Sequence, residues 1–259
     1  MIFSDLLPAA PEIILLCLIC VVLLADLFID DENRVAIFWL IIVSLFITGG
    51  SLVLTAQETR TVLFNGSYVS DPLSLVLKLA AVGVVAIGFM YSRDYLQQNK
   101  LFKGEYYLLG LFGLLGTMVM ISANSLLTMY LGLEMLSLSL YALVAFDRNS
   151  ATSAESAMKY FVLGAIASGA LLYGISWIYG MTGSLQFHEI AEVIRTQPEI
   201  NGLPLWFGLA FVIVGIGFKF GAVPFHMWLP DVYQGARSPV TLFIATAPKL
   251  GALALALRI

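Results

Sequence analysis

Four ionisable side chains, Glu134, Lys159, Lys219 and Lys249, stand inside stretches that are otherwise apolar. A charge at mid-bilayer depth costs several kcal/mol, from about 2.5 upward. Chains keep such groups where they pair, or where an ion or proton moves. A carboxylate among primary amines suits the second task, because each can hold a proton and hand it on through hydroxyls or water. Tyr130, Ser137 and Tyr141 lie at i−4, i+3 and i+7 from Glu134, so one helix face sets hydroxyls beside the acid. The competing reading is a salt bridge that fixes helix packing. One such pair would require one lysine, and three are present.

Lys219 lies in the segment GIGFKFGAVPFHMWLPD. Gly217 and Gly221 flank it and would let a neighbouring helix approach closely. Pro224 has no N–H, so the carbonyl of Phe220 loses its helical partner. A broken helix beside a buried lysine is a recurring way to build an ion path. Pro248 directly precedes Lys249 and repeats the device in the next span, although an ordinary kink is the simpler reading of either proline alone. His226, just past the break, reads either as an interfacial hydrogen-bonded histidine or as a relay between lysines. Lys78 sits about two turns from a helix start, within reach of the interface by snorkelling, so burial and exposure are both open for it. The glycines form no phosphate-binding loop, since no strand precedes them and no Lys-Ser/Thr pair ends the run. Cys17 and Cys20 stand in an apolar run without a neighbouring His or second Cys pair, and read as apolar-layer residues rather than a redox or zinc site.

These side chains need helices of bilayer length to hold them. Eight runs approach the roughly 20 residues a bilayer requires: 11–29, 35–55, 72–92, 106–121, 125–146, 154–180, 205–228 and 239 to the end. They are continuously apolar rather than alternating, which favours helices over barrel strands. At about 1.5 Å per residue, Glu134 and Lys249 each lie roughly 15 Å into antiparallel spans, and Lys219 is near the middle of its own. The three therefore share a level, with Lys159 nearer one end. In the long loop 181–204, Leu185, Ile190, Val193 and Ile194 alternate with His188, Glu189, Glu192 and Arg195, as in a helix lying at an interface. Arg34, Arg93, Lys100, Lys103, Arg148 and Arg237 fall on one side of the spans, and Arg60 and Arg195 on the other. The first side is expected to be cytoplasmic, which puts the N-terminus outside. That N-terminus lacks the basic residues and cleavage site of a signal peptide, so the first run is expected to be retained.

The chain of 259 residues is 60% hydrophobic and 12% charged, with mean hydropathy +0.93. A soluble domain carries about twice that charge fraction. The formal net charge of −4 supplies no basic patch for nucleic acid. The expected fold class is therefore all-α, a polytopic transmembrane bundle of about eight helices with a broken seventh. Residues 1–105 would hold helices 1–3 and residues 106–259 helices 4–8 of a translocating unit. The sequence stops inside the apolar run ALALALRI, which reads as a piece of a longer protein.

The segments LGLEMLSLSLYALVAF and FKFGAVPFHMWLPDVYQGARSPVT, followed by APK, closely resemble the antiporter-like membrane subunits. That family includes subunits of the proton-pumping NADH-quinone oxidoreductase, respiratory complex I, and of multi-subunit cation/proton antiporters. DVYQGA after WLP points to the complex I branch. The resemblance implies two inverted five-helix repeats, of which this chain would hold the first. It implies Glu134 as the modulator of proton affinity, Lys219 as primary carrier, Lys249 as the next carrier, and matching positions for Lys159 and His226. It implies other membrane-arm subunits as partners, protons as the transported species, and a bacterial inner membrane location. NADH, FMN, iron–sulfur clusters and quinone would belong to the rest of the complex, because no segment here is suited to bind them. Arg237 departs from the family, which usually has proline in GARSPVT; it changes a turn and adds charge.

Taken at about 4 Å and an effective dielectric of 20, the Glu134–Lys219 attraction would be roughly 4 kcal/mol. Separating the pair would release the proton toward Lys249. Two other readings stand beside proton pumping: a Na+/H+ antiporter subunit, and a structural membrane subunit whose charges only fasten helices.

Overall fold

The computed structural model describes residues 6–29, 34–200 and 202–258. The first five residues, which carry part of the signal-peptide reading, lie outside that set. A 3-10 turn, Leu7–Ala9, leads into α1 (Ala10–Phe28), followed by α2 (Arg34–Leu54). A hairpin of β1 (Thr61–Leu63) and β2 (Tyr68–Ser70) precedes α3 (Pro72–Gln98) and α4 (Gly104–Ile121). Then come α5 (Leu126–Val144), α6 (Ala151–Thr182), the short α7 (Phe187–Thr196), α8 (Leu203–Phe220), the short α9 (Trp228–Gly235) and α10 (Ser238–Arg258). Among the described residues, eight helices are long and apolar enough to cross a membrane: α1–α6, α8 and α10.

The expected spans and these helices agree to within three residues except in the third, where α3 continues six residues past the expected end to Gln98, and in the seventh, where α8 stops at Phe220 rather than running on to Trp228. The hairpin was not anticipated. Its turn places Phe64, Asn65 and Gly66 at positive φ, and only the last two are types that tolerate it readily.

The long helices pack mainly as neighbours in sequence, with α4 against α5 and α6 against α8 the most extensive pairs. Gly116 of α4 and Gly132 of α5 face each other. A Cβ on Gly116 would lie 2.6 Å from the Leu136 nitrogen, and one on Gly132 2.8 Å from that of Met120. Without side chains at the crossing the two backbones touch, which is how helices associate when lipid supplies no hydrophobic drive. Elsewhere the core is filled by Leu111, Leu114, Met118 and Leu133, all buried, and by the crossed rings of Phe89, Tyr106 and Tyr107.

Polar contacts sort the loops into two ends. At the basic end Arg34 donates to the Phe102 carbonyl at 3.0 Å, Arg148 pairs with Glu105 at 3.1 Å, and Arg237 grips Asp147. The Asp147 hydrogen bond is the leading cause holding the Arg237 guanidinium above its ordinary value. So the residue that departs from the family ties the loop after α5 to the start of α10. At the opposite, hairpin end, Asn124 joins three segments: it donates to the Gly66 carbonyl at 2.7 Å, accepts from Arg60 at 2.9 Å, and its carbonyl accepts from the Phe187 amide at 3.3 Å. The loop helix α7 is held there with Ile190 buried and Glu189, Glu192 and Arg195 exposed. Arg258 also belongs to this end. It donates to the Ile121 carbonyl at 2.8 Å and forks onto Asp71, the N-cap of α3, at 2.9 and 3.1 Å.

Burial raises the Asp71 carboxyl, but the hydrogen bonds from Arg258 and Ser74 outweigh it and the group ionises below its ordinary value of about 3.8. A carboxylate depressed in the folded state stabilises above its unfolded value, and loses that contribution as pH falls through the folded one. Thermal scans in detergent are therefore expected to show wild-type stability falling below pH ~4, with a flatter acid limb for Asp71→Asn. The Gly116–Gly132 crossing gives a second expectation. Gly132→Ala should destabilise by about 1–3 kcal/mol through overpacking, whereas Gly169→Ala, on an exposed stretch of α6 with no atom within 4 Å of the new Cβ, should be neutral or stabilising.

Candidate functional site

The site is organised by the end of α8. Gly221 adopts φ +68°, a left-handed residue that stops the helix three residues ahead of Pro224. Ala222 N–H bonds back to the Gly217 carbonyl at 2.9 Å. The next residues fold over the helix end before α9 resumes at Trp228. Gly217 receives the Phe225 ring of the folded-back segment, and Gly221 receives the first turn of α9. A Cβ on Gly217 would lie 2.9 Å from the Phe225 ring, and one on Gly221 2.4 Å from the Leu229 side chain, so both make room for the chain that follows the break.

Ending a helix inside an apolar layer leaves carbonyls without partners. Here donors from the chain itself satisfy them. The Trp228 indole donates to the Phe218 carbonyl at 2.9 Å. Lys249 of α10 donates to the carbonyls of Lys219 at 3.2 Å and Phe220 at 2.8 Å. The carbonyl that Pro224 deprives of its helical donor is thus met by a lysine of the next span. Trp228 is fixed by stacking on Tyr160, with ring centroids 4.7 Å apart, and its ring lies 5.8 Å from the Lys249 ammonium. Pro248 does not break its helix: α10 runs continuously through it. The two lysine–proline pairs are therefore not equivalent.

Lys219 points to the other side of the break and donates to the Ser137 hydroxyl at 2.5 Å. Its ammonium also lies 5.8 Å from the Tyr141 ring and 5.9 Å from that of Phe218, within cation–π range. Ser137 is one turn along α5 from Glu134. Glu134 accepts from Ser168 of α6, whose hydroxyl also meets Tyr130 OH at 3.2 Å. Glu134 and Lys219 thus share a face of α5 without a direct ion pair; each is held by a serine. A cavity of about 20 Å³ separates Lys219 from Lys249, walled by Tyr160, Trp228, Leu140 and Pro248. That is room for about one water.

Glu134, Lys219 and Lys249 are partly covered rather than deeply buried. Lys159 and His226 are not brought to them. Lys159 is exposed near the start of α6 and pairs with Glu155 at 2.9 Å and Asp231 at 3.2 Å. His226 is exposed, and its ring has no hydrogen-bond partner among the described residues. Lys78 does not snorkel: it is 2% exposed and lies 2.5 Å from Glu12. Cys17 and Cys20 are free and exposed on α1, and no group of three or more metal-binding side chains occurs among the described residues.

Two partners escaped the sequence reading. Ser168 lies on a small and polar face of α6, Ser153, Ser156, Tyr160, Gly164 and Ser168, whose spacing of three or four was the available signal. Glu12 stands in the first turn of its helix, where an acid is ordinary, so its position alone carries no signal.

The fold and site together define a polytopic membrane protein of antiporter type, with acid and amine groups around a broken helix. Residues 123–259 match the family described as NADH:quinone oxidoreductase/Mrp antiporter, TM. The chain belongs to that family. It is 53% identical over 98% of its length to NADH-quinone oxidoreductase subunit N of Thioalkalivibrio sulfidiphilus, covering 53% of that protein. It is 50% identical over its whole length to the same subunit of Hydrogenovibrio crunogenus, covering 54% of it. Among solved structures, a chain of respiratory complex I from Thermus thermophilus superposes with TM-score 0.80 at 33% identity, over 96% of this chain and 53% of that one. The chain thus spans about half the length of the curated relatives it matches.

Trp228→Phe keeps the stack on Tyr160 but removes the donor to the Phe218 carbonyl. It is expected to cost about 1–3 kcal/mol, the penalty of an unsatisfied buried acceptor, read as a lower Tm of the purified protein.

Proposed function

We propose that this chain works in the membrane arm of an NADH-quinone oxidoreductase, beside other membrane-arm subunits, and carries protons through Glu134, Lys219 and Lys249. The observation that carries the reading is the placement of Lys219. Its ammonium is bonded to Ser137, one turn from Glu134, while its own carbonyl accepts from Lys249 on the far side of the break. The high identity to relatives named subunit N supports assigning it to the oxidoreductase rather than to a cation antiporter.

Lys219 is the primary carrier. Its charged form is supported by Glu134, by two aromatic faces and by Ser137. A small movement of the end of α8 away from α5 lengthens the distance to Glu134 and weakens that support. The proton then passes across the one-water gap toward Lys249, whose ammonium is otherwise engaged with the carbonyls of the break. Two amines this close resist double protonation, so they titrate as a pair. The α4–α10 portion forms the translocating unit. NADH, FMN, iron–sulfur clusters and quinone act elsewhere in the complex, whose energy drives the movement of α8. Lys159 and His226 stand off this path at the basic end. The assembly lies in a bacterial inner membrane with the basic end cytoplasmic and the N-terminus outside.

Lys219→Ala in the intact complex is expected to abolish proton translocation in sealed vesicles and to reduce coupled turnover. Glu134→Ala should act in the same direction, as strongly or more mildly, and Lys159→Ala less than either. Wild-type pumping by Lys219→Ala would remove that residue from the path. Transport that requires Na+ would move the chain to the antiporter branch, and lost stability without a transport defect would leave the charges structural.

A further inference from the structure

A buried acid and a buried amine meet at the hairpin end, away from the Glu134–Lys219 centre. Glu12, in the first turn of α1, is 8% exposed, and Lys78, in the second turn of α3, is 2% exposed. They meet at 2.5 Å. The Tyr68 hydroxyl, from β2, touches both: it accepts from the Lys78 ammonium at 3.0 Å and lies 3.0 Å from Glu12 Oε2 and 3.1 Å from the Pro8 carbonyl, to which its proton can turn. The Tyr68 ring also lies 5.1 Å from that ammonium. A small cavity of about 10 Å³ reaches Lys78 between Pro8, Thr55, Gln57 and Ser70, at the hairpin end of the bundle.

We propose that Glu12, Lys78 and Tyr68 form a second proton-exchange centre, which takes up and releases a proton at the hairpin end independently of the Glu134–Lys219 path.

The ion pair is direct, and the Tyr68 hydroxyl lies beside it in contact with both partners. Here an O–H that can donate to the acid and accept from the amine joins them, the arrangement along which a proton shifts. A metal cation is not the exchanged species, because the ammonium already occupies the carboxylate. Charge balances in two steps. A proton arriving at the Glu12 carboxylate neutralises it and leaves Lys78 as an uncompensated ammonium, at the positive end of the α3 dipole. The ammonium then loses its proton toward the cavity, and the site returns to net neutrality as a carboxylic acid beside an amine. Among the described residues no other charge intervenes. The α2 end contributes Thr55 and Gln57, the α4 end contributes Ser122, and Asp71, the N-cap of α3, is engaged by Arg258 of α10. Burial is the leading cause pushing the Tyr68 phenol up, followed by the Glu12 charge, so the hydroxyl keeps its proton and bridges rather than ionises.

The test uses the full-length protein in its native membrane assembly and pH-difference infrared spectroscopy. Wild type is expected to show a protonated-carboxyl band that grows as pH falls and that Glu12→Gln/Lys78→Met loses. The double variant removes both charges together, so no buried charge is stranded. Should it fail to assemble, Tyr68→Phe retains the ion pair and is expected to shift the midpoint of the same band. An infrared difference spectrum unchanged in either variant would overturn the proposal and leave the pair a helix fastener. The band is read without turnover, so its loss upholds the exchange centre whether or not Lys219 proves to carry protons.

Discussion

The structure depends on finding donors for carbonyls that a helix has abandoned. In water, the end of α8 would be hydrated at little cost. Inside an apolar layer each orphan carbonyl needs a partner from the protein, at several kcal/mol per failure. Trp228 and Lys249 are those partners. Trp228 is positioned by Tyr160 of α6, and Lys249 arrives from α10, so the break couples three helices around one defect. An intact helix at this point would leave Lys249 without acceptors and Lys219 aimed along a smooth apolar face. The irregularity makes a polar interior affordable.

In both charged centres hydroxyls bond the charged groups. Ser137 holds Lys219 and Ser168 holds Glu134, and Tyr68 touches both Lys78 and Glu12. They differ in closeness. The hairpin-end pair is in contact and excluded from solvent, whereas Glu134 and Lys219 make no direct ion pair and are partly covered. A spaced pair is held by a weaker attraction than a contact pair and responds to small displacements of α8.

Much of the site was legible because membrane burial makes charges conspicuous. Glu134, Lys219 and Lys249 stood out against apolar runs, and the helical offsets of Ser137 and Tyr141 put them on the acid's face without further information. Lys159 and His226 did not join them for a common reason. His226 is two residues past Pro224, but the folded-back segment 221–227 turns it outward; Lys159, about sixty residues before the break, is drawn to the basic end by Asp231 of α9. Neither the direction of that turn nor its carboxylate partner is encoded in local spacing.

The amino-acid order alone determined the number and approximate limits of the spans, the all-α class, the presence of a break near Lys219 and the level shared by the central charges. These follow from local chemistry: continuous hydrophobicity, helical rise, and a proline without an N–H. Tertiary structure decided which groups touch. Phe220 was bound to lose its donor, but only packing of α10 made Lys249 the replacement. Lys78 was free to snorkel or to stay, and Glu12, sixty-six positions earlier, held it inside. Partners far apart in sequence leave no local periodicity, and in a membrane the cost of an unmet charge lets a distant partner, once present, determine where it goes.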